Sequence, residues 1–346
     1  IAVNKDRLFK INSSYDSLLY EIQKQNPAYF SVNFDERGAN VKEIQERLDS
    51  NTGIIEFYAH ANGNFYVFFI SKATTQVKKI KIENLRNKIT FFNKAIIEKN
   101  TINFKKLSSQ LYNTLIEPNL NEFKGSELII IPDESLWGLE FDLLLTKKTS
   151  TNNPKELPFL LRDYAISYAN SIVLLEAYSK NRKNTKDCLA FSYTDLNDPR
   201  GGSSIDLSRL RDTKSDLPGT RKEIREIANI IDGEYYYGSN AIEAIFKAKA
   251  NDFSILHLAL HGEVNHIKPE FSRLYFTQQK DSIEDNYLYA HELTTLDLPA
   301  DLAVLSACDT GSGKNLVGEG IMSLGSAFQY AGNKSLLLSK WEVSDA

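Results

Sequence analysis

Phe253-Ser254-Ile255-Leu256-His257-Leu258-Ala259-Leu260-His261-Gly262 is the stretch that decides the architecture. Phe253 to Leu260 is almost wholly apolar, which predicts a strand buried on both faces rather than one alternating between core and water. Leu302-Ala303-Val304-Leu305 and Ser335 to Leu338 repeat the pattern downstream, and Leu189-Ala190-Phe191 precedes it. Helices are predicted between these runs. Thr220 and Glu223 have the spacing of a capping box, and Ile224, Ile227, Ala228 and Ile231 recur at helical spacing before Gly233. Asn240 and Glu243 repeat the capping signal, and Ile321, Leu324, Gly325 and Phe328 share the face of a third helix that ends at Gly332. Buried strands joined through helices give an α/β fold, a mostly parallel sheet flanked by helices.

In such a sheet the loops leaving the C-terminal strand ends form the ligand crevice. One strand delivers His261-Gly262-Glu263 there, and another delivers Ser306-Ala307-Cys308-Asp309-Thr310-Gly311. If the two strands are neighbours, about 5 Å apart, imidazole and thiol face each other. A free thiol is a modest nucleophile near neutral pH, and a nearby imidazole activates it by taking its proton. His261 and Cys308 are thus the candidate catalytic pair. The backbone N–H groups of Gly262 and Cys308 are the candidate oxyanion donors. Taken singly, a cysteine or a histidine is more often a core residue than a catalyst; placement of both at strand exits is what raises the pair. His257, four residues earlier on the same strand, lies about 13 Å from His261 in an extended chain and is read as structural. His60, His266 and His291 fall in turn-like segments and receive no role.

Working outward, residues 1–50 form an N-terminal helical segment, with a break at Asn26-Pro27. Residues 51–155 form a smaller α+β subdomain. Ile54 to Tyr58, Phe65 to Ile70 and Val77 to Ile82 read as a β-meander, with Asn62-Gly63 favouring a two-residue hairpin turn. Helical spacing runs from Glu83 to Ile116, and Leu128 to Ile131 is a short strand ended by Pro132. Residues 156–346 hold the buried strands and the candidate pair. The polar segment from Thr194 to Asp216 reads as an exposed loop.

Composition narrows the classes of function. With 346 residues, 42% of them hydrophobic, the chain can bury ordinary cores. A net charge of -4 from interspersed acids and bases gives no global attraction for nucleic acid or anionic membrane. No apolar run reaches the ~18 residues of a membrane helix, and no signal peptide opens the chain. Two cysteines, Cys188 and Cys308, supply neither a disulfide framework nor zinc-site spacing, which fits a reducing cytoplasm. Gly311-Ser312-Gly313-Lys314 is a poor phosphate loop, because Cys308 stands at the first glycine position and Asn315 where a hydroxyl would hold magnesium. No cofactor and no metal are expected. The start at Ile1 and the stop at Ala346, right after a strand, read as a piece of a longer chain.

Leu256 to Gly262, Leu305 to Gly311, Gly318-Glu319-Gly320 and Leu338 to Asp345 together resemble the CHAT family, caspase-like peptidases often joined to tetratricopeptide repeats. More distantly they resemble separases and caspases of clan CD. Ile130-Ile131-Pro132-Asp133, Leu139-Glu140-Phe141 and Leu217-Pro218-Gly219-Thr220 match more weakly, so the likeness runs from about Gly53 to Ala346. The resemblance implies a caspase-like sheet, a catalytic His261, a nucleophilic Cys308 and peptide-bond hydrolysis, with histidine preceding cysteine as here. It also implies a protein partner cleaved in bacterial defence or signalling, under control of an activating sensor domain or regulator.

From these residues an extended peptide bound by strand addition is expected. Asp195 and Asp309 are candidate substrate-binding acids favouring a basic residue before the scissile bond. Arg200, Arg209, Arg211 and Lys214 would make the 194–216 loop a site of self-processing. The competing reading is a catalytically silent CHAT-type interaction scaffold, whose mark would be loss of one member of the pair; both are present.

Overall fold

A computed structural model describes residues 2–25, 40–60, 63–177, 186–194, 217–265, 267–278, 284–306, 314–316, 320–322 and 324–339. Two compact units emerge. One comprises Arg37–Glu176 with Asn315–Gly320, and the other Ile1–Glu36, Ala177–Lys314 and Ile321–Ala346.

Helix α1 spans Ala2–Gln25, and the expected break at Asn26-Pro27 lies outside the described residues. In the Arg37–Glu176 unit, Asn40 caps the short α2, Val41–Arg47, by accepting from the Lys42 N–H. Strands β1 (Thr52–His60), β2 (Asn64–Ser71) and β3 (Thr75–Lys81) form the expected antiparallel meander. The β1–β2 register pairs His60 with Asn64, leaving three residues between them rather than two, and Gly63 supplies the positive φ of 71° that the reversal needs. Strand β4, Glu127–Ile131, pairs parallel with β1, and β5, Ala165–Tyr168, pairs parallel with β4, giving the order β3-β2-β1-β4-β5. Leu85, Ile89 and Phe92 of α3 (Leu85–Ile97) and Phe104, Leu111 and Leu115 of α4 (Thr101–Leu115) recur at helical spacing. They complete one apolar core with Phe57, Phe65 and Phe69 of the sheet.

The other unit is built on five parallel strands in the order β15-β12-β8-β6-β7. These are β6 (Lys186–Ser192), β7 (Gly233–Tyr236), β8 (Phe253–Ala259), β12 (Leu302–Leu305) and β15 (Ser335–Leu338). The pairing is parallel throughout, as the apolar runs of β8 and β12 predict; β7 is Gly-Glu-Tyr-Tyr, and β15, expected to be buried, stands at the end of the strand order with Leu337 61% exposed. A second, antiparallel sheet in the order β11-β10-β9 joins Tyr287–Tyr289, Arg273–Tyr275 and His261–Glu263. A two-stranded ribbon, part of which falls in the Asn315–Gly320 segment assigned to the first unit, pairs β13, Lys314–Leu316, with β14, Gly320–Met322. Ile321 therefore belongs to a strand, and the last described helix, α7, spans only Leu324–Tyr330 before Gly332 leaves it at φ 109°. Gly233 opens β7 instead of merely ending a helix: a Cβ there would sit 2.1 Å from the Cys188 carbonyl oxygen, so the two strands approach too closely for a side chain.

The capping-box expectation also fails in an informative way. Helix α5 spans Pro218–Ala228 with Leu217 at its N-cap, because proline is favoured in the first turn. Thr220 then lies inside the helix and donates to the Leu217 carbonyl, 2.7 Å, which frees Glu223 for contacts elsewhere. Helix α6 spans Glu243–Lys249 with Ile242 at its N-cap, two residues later than Asn240 suggests, and has no side-chain cap. The core of this unit gathers Phe191, Phe246, Phe253 and Phe276 with Leu256, Leu258, Leu305 and Phe328. No helix among the described residues is long and apolar enough to cross a membrane.

Candidate active site

Strands β8 and β12 are parallel neighbours, with Val304 opposite His257 and Leu305 opposite Leu258. The adjacency on which the candidate pair depends is therefore met. β8 ends at Ala259, the chain bends at Leu260, and His261 opens β9 of the second sheet instead of entering a loop. The reason is local: β10 offers the backbone a partner, with His261 in register with Tyr275 and Gly262 with Leu274.

The half-buried imidazole of His261 is packed against the edge of Tyr193, ring centroids 4.7 Å apart at 75°. Tyr193 is 1% exposed, and its N–H donates to the Ala259 carbonyl at 3.0 Å, so the chain leaving β6 is tied to the end of β8. An aromatic wall thus fixes the imidazole on one side while leaving it accessible.

Two residues beyond His261, the Glu263 carboxylate accepts from Arg273 Nη2 at 3.1 Å and from the Tyr275 hydroxyl. The Arg273 guanidinium lies over the rings of Tyr275 (4.8 Å) and Tyr287 (4.5 Å). Planar cations favour such faces. Burial would lower the pKa of Arg273, but hydrogen bonds to Tyr289 and Glu263 outweigh it and hold the group charged.

Glu223 of α5 divides its carboxylate between His257 on β8 and Ser306, the residue after β12. Oε1 lies 2.9 Å from His257 Nε2, and Oε2 accepts from the Ser306 hydroxyl at 3.0 Å. Burial alone would raise the Glu223 pKa, yet the hydrogen bonds from His257 and Ser306 hold it below the usual carboxylate range. His257 is 6% exposed and hydrogen-bonded, in keeping with a structural role.

Cys308 and Asp309, with Asp195, lie outside the described residues, as does the 194–216 segment beyond Thr194. His266 does too; His60 is exposed, and His291 is exposed with Nδ1 3.0 Å from the Glu270 carbonyl. Cys188 is fully buried, and burial pushes its thiol pKa up, which leaves it inert. Among the described residues, Glu243, Glu284 and Glu292 bring carboxylate oxygens within 4.8 Å of one another. The Lys247 ammonium sits between them at 2.7 to 2.8 Å, in the place a cation would take. Sequence reasoning missed Tyr193, Glu223 and Arg273, whose partners are set by strand order rather than by local spacing.

No curated protein matches the chain. The family model described as the CHAT domain matches residues 105–346, well over half of the sequence. The chain belongs to the CHAT domain family, a caspase-like family.

Proposed function

We propose that this chain is a cysteine endopeptidase that hydrolyses peptide bonds of a protein partner through His261 and Cys308. The observation that supports this most directly is the pairing of Leu258 with Leu305: each precedes its member of the pair by three residues, on neighbouring parallel strands that run the same way. His261 takes the thiol proton, and the thiolate attacks the scissile carbonyl carbon. Backbone N–H groups of Gly262 and Cys308 receive the developing oxyanion. Collapse of the tetrahedral intermediate forms a thioester and breaks the C–N bond, with the imidazolium protonating the departing amine. Water, deprotonated by the same imidazole, then hydrolyses the thioester and regenerates the thiol.

An extended peptide is the expected substrate form, with Asp195 and Asp309 favouring a basic residue before the scissile bond. A sensor domain or partner regulator would switch the enzyme on. The test is a peptidyl acyloxymethyl ketone library, which alkylates an activated thiolate. Wild-type protein should be labelled at Cys308, found by peptide mass spectrometry, and His261→Ala should not. Equal labelling of both would favour a catalytically silent scaffold. Labelling only by members with an acidic residue before the reactive carbon would exclude the basic preference.

A further inference from the structure

The backbone pairing of β8 with β12 ends at Leu258 and Leu305, before either strand reaches the residue it delivers. Beyond that point, among the described residues, the Glu223 side chain continues the link. Glu223, from α5, bonds His257 on β8 through one carboxylate oxygen and Ser306, the first residue past β12, through the other. Ser306 is two residues before Cys308, and His257 four before His261. The helix that carries Glu223 packs against both β6 and β8, and Ile224 beside it is fully buried, so the carboxylate is held on a rigid element.

A half-buried carboxylate is costly to desolvate, and general packing does not require one at this place. Its geometry explains it: two acceptor atoms at fixed separation set the spacing of a ring nitrogen and a hydroxyl on neighbouring strands. A carboxylate that accepts from both also selects the state of His257 with a proton on Nε2. Short loops leaving strand ends are otherwise free to shift by an ångström or more, enough to cost a reaction about 100-fold.

Taking the peptidase reading as given, we propose that Glu223 is a positioning residue for that reaction, clamping Ser306, two residues before Cys308 in the chain, to His257 on β8. It touches neither substrate nor the reacting atoms and acts through Ser306. Glu223→Gln replaces one acceptor oxygen by a donor amide, which cannot accept from both partners; Ser306→Ala removes a single hydrogen bond at the nucleophile's strand and leaves α5 intact.

The experiment measures labelling of full-length wild type, Glu223→Gln, Ser306→Ala and the double variant, using the acyloxymethyl ketone that labels wild type fastest. The maximal inactivation rate should fall about 10- to 100-fold in each single variant. Half-saturating probe concentration should stay within about twofold, because the binding surface is untouched. The double variant should be no slower than Glu223→Gln alone, since both changes break one link. Ser306→Thr, which keeps the hydroxyl, should recover most of the rate, and melting temperatures should not follow the order of the rates. Wild-type rates in Glu223→Gln and Ser306→Ala, additive losses, or losses that track melting temperature would each overturn the clamp while leaving the peptidase reading standing. No labelling of wild type by any library member would remove the peptidase reading and the clamp with it.

Discussion

The meander sheet of β1 to β5 and the parallel sheet around β8 differ in what their cores admit. Beside the meander, the buried polar groups are small and serve the backbone: Ser108 donates to the Leu143 carbonyl at 3.1 Å and accepts from the Leu145 N–H at 2.8 Å, while Asn119 donates to the Leu115 carbonyl at 3.0 Å. Beside the parallel sheet, ionisable side chains are buried: His257 against Glu223, and Glu243 against Lys247. Burying a charge costs far more than burying a satisfied hydroxyl. The lesson is that the fully buried polar side chains of the meander unit are neutral, while the other unit also buries His257 and Glu243.

The sharpest way to break this contrast is to remove the proposed chemistry. Cys308→Ala and His261→Ala should each lower peptide cleavage by about 1,000-fold or more, with melting temperatures close to wild type. Cleavage that survives either change, followed by mass spectrometry of a co-incubated partner, would make the second sheet as inert as the first.

Large-to-small changes in the two cores come next. Phe141→Ala and Phe191→Ala should each destabilise by about 3–5 kcal/mol in denaturant melts, since both rings are fully buried. Phe191 packs on Tyr236, Phe246 and Phe276 and lies on β6, two residues before Tyr193. Its loss should therefore slow Cys308 labelling per folded molecule, whereas Phe141→Ala should not. Equal slowing by both would erase the distinction between a cohesive sheet and a working one.

Titration sharpens the comparison further. Burial pushes the Glu243 carboxyl up to about 7, against the opposing pull of Lys247, from an ordinary value of 4.5. Between those values the folded protein holds a proton that the unfolded chain has released, so stability falls as pH rises from about 4.5 to about 7 and then levels. Glu243→Gln should flatten that fall, by ~1–3 kcal/mol across the interval, in melts run at pH 5 and pH 7.5. A steeper fall in the variant would reverse the sign argued here.

The smallest effect belongs to the surface. Glu234, bonded to Lys186 and Lys249, is pushed down to about 2 by those two lysines and by Tyr236. Glu234→Gln should nevertheless cost less than about 1 kcal/mol, because water and salt screen such pairs. Whatever it contributes is lost as pH falls from about 4.5 toward 2, the opposite direction to Glu243.

Much of this fold was legible in the residues. Continuous apolar runs identified β8 and β12 as buried strands, and short apolar runs flanking Asn62-Gly63 identified the meander, because runs of this kind report burial directly. What escaped depended on distance along the chain. Glu223 and Ser306 are 83 residues apart, and nothing local to either announces the other. Thr220 and Glu223 matched a capping box by spacing, but Pro218 started the helix earlier and turned the carboxylate toward the sheet. His261-Gly262-Glu263 was too short to show strand periodicity, and only Arg273–Tyr275 across from it makes it one. At the site, His261 was placed by its strand, while the Tyr193 ring against it came from the pairing of β6 with β8.

The bend at Leu260 has a consequence for how this protein tolerates change. The same few residues end one sheet and begin another, so their length is fixed at both ends by hydrogen-bonded ladders. Deleting or inserting a single residue between His257 and His261 would turn every later side chain of β9 to the opposite face. Segments between other strands can lengthen at modest entropic cost, but this one behaves as a gauge block whose dimension neither sheet can adjust. Recombination or engineering of the family should keep Phe253 to Glu263 whole and place its crossovers elsewhere.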